Sequence, residues 1–131
     1  MNAAIPTPPP TGTGELHLEE LAFDGTSTAS CAGDITFTEF GTVDGHLVNA
    51  WLNPSGGVYL SISVTPADAK STDGYWYYES NPTTDFSTEI ADDDLSGTVE
   101  FAGLPLYPGD PGASTPVPPP ELSGTISWDC Q

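Results

Sequence analysis

From residue 15 onward, apolar and polar residues alternate in short runs broken by Gly, Pro, Asn and Asp. Period-two alternation bounded by turn residues predicts half-buried β-strands rather than helices. Residues 15–23 (ELHLEELAF) alternate at Leu16 and Leu18 and then slip at Leu21 and Phe23, which predicts a bulge or a strand followed by a short turn. Residues 24–29 are rich in Gly, Ser and Thr and read as a turn region. Residues 34–40 (DITFTEF) place Ile35 and Phe37 on one face, and Cys31 shares their parity.

The strongest hairpin comes next. Residues 45–53 and 57–65 flank the turn-rich Asn53-Pro54-Ser55-Gly56-Gly57. The simplest register sets Leu52 opposite Val58 and Trp51 opposite Tyr59. Val48, Ala50, Leu52, Val58, Leu60 and Ile62 then form the core face, and Leu47, Asn49, Trp51, Tyr59, Ser61 and Ser63 face outward. Pro66 ends the second strand. Tyr75, Trp76, Tyr77 and Tyr78 run consecutively, so on a strand two must point inward and two outward. In residues 81–94, Phe86 and Ile90 are inward contacts, and 87–90 reads as another short strand.

Two later segments repeat one pattern. In LSGTVEF (95–101) and LSGTISW (122–128), positions 1, 3, 5 and 7 are Leu, Gly, a β-branched residue and an aromatic. The shared pattern makes them candidates for neighbouring strands, and Cys130 continues the inward parity of Trp128. Residues 104–120 hold seven of the 14 prolines and form a long excursion between these strands, with Leu104, Leu106 and Tyr107 as anchors. The expected domain is therefore residues 15–131, an antiparallel β-sandwich of seven to eight strands, immunoglobulin-like or jelly-roll-like, with a small barrel as the alternative.

Residues 1–14 (MNAAIPTPPPTGTG) lack the basic and apolar regions of a signal peptide and read as a disordered Pro/Thr/Gly tether. Such a leader implies a signal or lipid-attachment segment upstream. The two cysteines form no CxxC pair, and with two histidines they are too scattered for a structural zinc site. A structural disulfide between Cys31 and Cys130 is predicted instead, stapling the last strand.

Charge narrows the partners. The 131-residue chain carries 19 Asp plus Glu against one Lys or Arg, a net charge of -18. One cation cannot neutralise a row of phosphates, which excludes nucleic acid, and an anionic membrane repels the chain. The 13 aromatics, 3 Trp, 5 Tyr and 5 Phe, argue against disorder, and a self-repelling surface predicts a soluble monomer.

No catalytic motif is present. Nineteen acids guarantee accidental carboxylate pairs, so a glycoside hydrolase is the weakest reading, and no GxSxG-type serine occurs. Asp92, Asp93 and Asp94, with Glu89 nearby, supply hard oxygen ligands of the kind calcium takes, without an EF-hand signature. His17 and His46 lie on separate expected strands and read as ordinary exposed residues. The outward aromatics carry the most information: Trp51 and Tyr59 with Asn49, joined by members of Tyr75, Trp76, Tyr77 and Tyr78, are the candidate ligand-binding residues. Such rings stack on sugars or receive a protein surface. The competing expectation is that the proline-rich excursion covers them.

The terminal LSGTISWDC, the cysteine pair and the Pro/Thr-rich leader together resemble small extracytoplasmic bacterial lipoproteins and secreted β-domains. That resemblance implies a secreted or cell-envelope location and a non-catalytic role. The expected function is a binding module for carbohydrate or another cell-surface ligand. The alternative is a structural or protein-interaction domain of a surface assembly or adhesin.

Overall fold

Alternating side chains commit most of the chain to β-strand. The computed structural model describes residues 11–43, 45–54, 57–66, 76–106 and 120–130. In chain order the strands are β1 (Thr11–Leu18), β2 (Phe23–Ala32), β3 (Asp34–Phe37), β4 (Gly41–Val43), β5 (His46–Asn53), β6 (Tyr59–Pro66), β7 (Trp76–Glu79), β8 (Asp85–Ile90), β9 (Ser96–Pro105) and β10 (Glu121–Asp129). No helix occurs among the described residues, and none is long and apolar enough to cross a membrane.

Every strand pair is antiparallel, and the ladder joins all ten strands into one sheet in the order β7-β6-β5-β3-β2-β1-β10-β9-β8, with β4 also on β5. The all-β antiparallel class is as expected. The two-layer detail is revised: a single sheet curls into a half-barrel where a sandwich would divide into two. A bridge between Tyr78 and Leu106 links β7, at one end of the strand order, to the chain just past β9, near the other. The core is the inside of that curl, with Leu16, Ile35, Leu52, Ile62, Val99 and Ile126 at 2% exposure or less.

Small residues on the inner face permit the curl. β2 occupies the stretch expected as a turn; its inward positions after Phe23 are Gly25, Ser27, Ala29 and Cys31. A Cβ on Gly25 would lie 2.8 Å from the Phe23 ring, so the ring packs where a larger residue would stand. In β9 a register shift opposite Leu122/Gly124 coincides with Gly103 at φ 70°, a left-handed position that glycine adopts without a Cβ penalty, and the strand bends there.

Both ends of β1 differ from expectation by a few residues. β1 starts at Thr11, inside the segment expected to be tether, because Thr11 and Thr13 pair with Ser30 and Thr28 of β2; residues 1–10 lie outside the described set. β1 stops at Leu18, and a tight turn closed by Ala22 at φ 48° starts β2 at Phe23, so the slip in ELHLEELAF is a hairpin. At that turn the Glu20 carboxylate accepts both the amide and the hydroxyl of Ser123, each at 2.6 Å, tying the hairpin to β10. Burial, the largest single effect, raises the Glu20 pKa, but the hydrogen bonds to Ser123 and to its own backbone together outweigh it and hold it below its usual value.

Cys31 and Cys130 form the expected disulfide, with Cα atoms 6.4 Å apart across 99 positions. Such a bond fits an oxidising, extracytoplasmic setting.

Candidate functional site

The outward face of β5, β6 and β7 gathers the aromatic residues that the core does not take. Alternation along β5 buries Val48, Ala50 and Leu52 and turns Asn49 and Trp51 out, each half-buried. The register differs from the simplest hairpin by two residues: Leu52 opposes Leu60, Trp51 opposes Ser61, and Tyr59 opposes Asn53. A shift of two leaves every side chain on its expected face. Trp51 and Tyr59 therefore meet as a diagonal pair, ring centroids 5.2 Å apart and planes at 70°.

β7 completes the patch. Ser63 pairs with Tyr77 and Ser61 with Glu79, so Tyr77 and Glu79 continue the outward rows begun by Asn49 and Trp51. The Tyr59 hydroxyl donates to the Glu79 carboxylate. Burial, then that bond to Glu79, then the neighbouring Tyr77 hydroxyl, push the Tyr59 pKa well above its ordinary value. Ser61, beneath these side chains, is only 7% exposed although it faces outward. The result is a continuous cluster, Trp51 against Tyr59 against Glu79, with Tyr77 and Asn49 beside it.

The four consecutive aromatics split as a strand requires. Trp76 and Tyr78 are the inward members, at 1% and 0% exposure, and belong to the core rather than to a ligand surface. Tyr77 is outward. Tyr75 lies outside the described residues, as does most of the proline-rich excursion (107–119) that was the alternative cover for this face. Glu79 is the member of this cluster that sequence reasoning passed over. Its parity with Tyr77 was the available signal, overlooked because the carboxylate ends the aromatic run.

The histidines stand on opposite faces. His46, expected to be exposed, is 2% exposed and stacks on Trp76 with centroids 5.2 Å apart and planes at 20°. It lies at the start of β5 with inward parity, and the flat imidazole fits against the indole. His17 is outward, its Nδ1 2.5 Å from Asp24 Oδ1, and both side chains are well solvated. They line an open groove of about 410 Å³ with Glu15, Thr26, Thr125 and Ser127.

The acidic candidates do not converge. Asp92, Asp93 and Glu89 are exposed, the Asp93 carboxylate accepts the Leu95 amide at 3.0 Å, and the Asp94 carbonyl accepts the Trp128 indole N–H at 3.0 Å. Among the described residues no three His, Cys, Asp or Glu side chains gather as a metal site. The triplet instead shapes the turn between β8 and β9, where Asp94 adopts φ 60°.

No protein-family model matches this chain, and neither a curated protein nor a solved structure does.

Proposed function

We propose that this chain is a non-enzymatic binding module, secreted or held at the cell envelope, that takes a carbohydrate or another cell-surface ligand on Trp51, Tyr59 and Tyr77. The Trp51–Tyr59 pair carries the reading. Two large rings lie on the face away from the core, partly open to solvent, in a chain that buries its other described tryptophans, Trp76 and Trp128. Aromatic rings so placed offer apolar faces to the C–H side of a sugar, while Asn49 and Glu79 stand ready for its hydroxyls. The disulfide supports an extracytoplasmic location, and the acidic surface disfavours anionic partners.

Affinity electrophoresis through gels containing different polysaccharides tests this reading. Wild type is slowed by at least one polysaccharide, and Trp51→Ala is not. If neither is slowed by any polysaccharide while wild type captures a protein ligand, the structural or adhesin-like role takes its place.

A further inference from the structure

We propose that the ligand of this face is a cationic amino-sugar polymer, held with a protonated amine at the Trp51 and Tyr59 rings beside the Glu79 carboxylate. The inference rests on the carbohydrate reading above and narrows it to one chemical class.

Three observations carry it. First, the two rings stand nearly perpendicular, at 70°, so they form two walls of a corner rather than a flat stacking platform. The electron-rich faces of Trp and Tyr attract an ammonium group, and a corner offers more than one face to it. Second, a carboxylate is built into that corner. Glu79 lies in one outward row with Trp51 and Ser61, and the Tyr59 hydroxyl fixes it by donating to it. A neutral sugar needs no such charge, whereas an amine pairs with it.

Third, charge complementarity selects the sign. The described residues include no Lys or Arg, and the whole chain carries a net charge of -18. Among the described residues no Lys or Arg stands against Glu79, and the chain as a whole is strongly acidic, so an incoming amine is attracted to this face. A uronate or sulfated glycan meets repulsion on the same approach.

The experiment is a calorimetric titration with three oligomers of matched length: glucosamine, N-acetylglucosamine and glucose. Mildly acidic buffer keeps the free amines protonated. Wild type binds the glucosamine oligomer about tenfold more tightly than the other two. Glu79→Gln reduces that preference to about twofold or less, and Gln still accepts the Tyr59 hydroxyl, so its melting temperature stays near wild type. Glu100→Gln removes an equal charge from an exposed position on β9 and keeps the preference.

Equal losses in both variants overturn the proposal in favour of general charge attraction. Equal or tighter binding of a neutral oligomer overturns it while leaving the carbohydrate reading intact. Glu79-dependent binding of oligolysine without binding of glucosamine overturns it in favour of a basic protein partner. Failure of all three sugars to bind overturns the proposal, and retardation of wild type by another polysaccharide in the gels then decides whether the carbohydrate reading itself stands.

Discussion

The indole of Trp128 fills the space that a side chain on Gly97 would need. The two residues oppose each other across β10 and β9, and a Cβ on Gly97 would lie 2.7 Å from the Trp128 ring. The same ladder sets Phe101 opposite Gly124 and Val99 opposite Ile126. The LSGT repeat thus has a structural sense: antiparallel pairing of two copies puts each aromatic across from the other copy's glycine. A bulky ring covering an interior glycine recovers apolar contact that glycine cannot supply.

Gly97→Ala is therefore destabilising even though alanine is the more rigid residue in the unfolded chain. The indole must leave its position, at a cost of about 1–3 kcal/mol for overpacking. Urea unfolding reads this as a lower midpoint with an unchanged slope. Trp128→Ala removes the ring and its bond to the Asp94 carbonyl, and costs more, about 3–5 kcal/mol.

A second prediction concerns the staple. β1 lies between β2 and β10, so the disulfide reaches across the start of β1. Gly12 makes room there: a Cβ would fall 1.7 Å from the Asp129 carbonyl oxygen and 2.8 Å from the Cys130 Cα. These are backbone atoms and cannot swing aside. Replacing both cysteines by serine lowers unfolding stability by about 2–5 kcal/mol. Gly12→Ala loses about 1–3 kcal/mol with the disulfide intact. A thiol assay on unfolded, unreduced protein detects no free cysteine.

Much of this was legible in the pattern of residues, for physical reasons that also explain the rest. Side-chain parity settled the faces of β5 and β6, because a two-residue error in register preserves them. The inward placement of Cys31 and Cys130 and the pairing of β9 with β10 followed from the same alternation. β2 was missed because its inner face is largely Gly, Ser and Ala, a composition typical of turns; here the ring of Phe23, at the start of the same strand, packs over Gly25. The single curled sheet was not legible because it depends on those close approaches and on the bulge at Gly103, which local patterning does not encode. At the site, Trp51, Tyr59 and Asn49 could be read from alternation. Parity with Tyr77 could have put Glu79 on the same face, but its contact with Tyr59 required the observed register of β6 with β7.

Buried Tyr78 and half-buried Tyr59 set an alkaline limit on stability. Burial, then the charge of Glu20, raise the Tyr78 pKa far above its ordinary value, and Tyr59 is raised as well. In the unfolded chain both phenols ionise near about 10. From there upward the unfolded chain releases protons that the folded chain keeps, so stability falls as pH rises; below that range it is fully present. Ultraviolet titration of native protein shows phenolate absorbance from fewer than all 5 tyrosines until the chain unfolds. Tyr78→Phe makes the alkaline loss of stability shallower, and an unchanged slope contradicts the assignment.

The central claim is that the Trp51–Tyr59 corner is where the ligand sits. Trp76 and Trp128 are 1% and 3% exposed, so Trp51 is the tryptophan through which a surface ligand reports. A fluorescence titration with neutral and amino-sugar oligomers, run on wild type and Trp51→Ala, measures this directly. The account predicts a saturable change in wild-type emission that is absent from the variant, while the two proteins retain the same fold by circular dichroism. The same response in both proteins, or none in wild type with any oligomer, contradicts it.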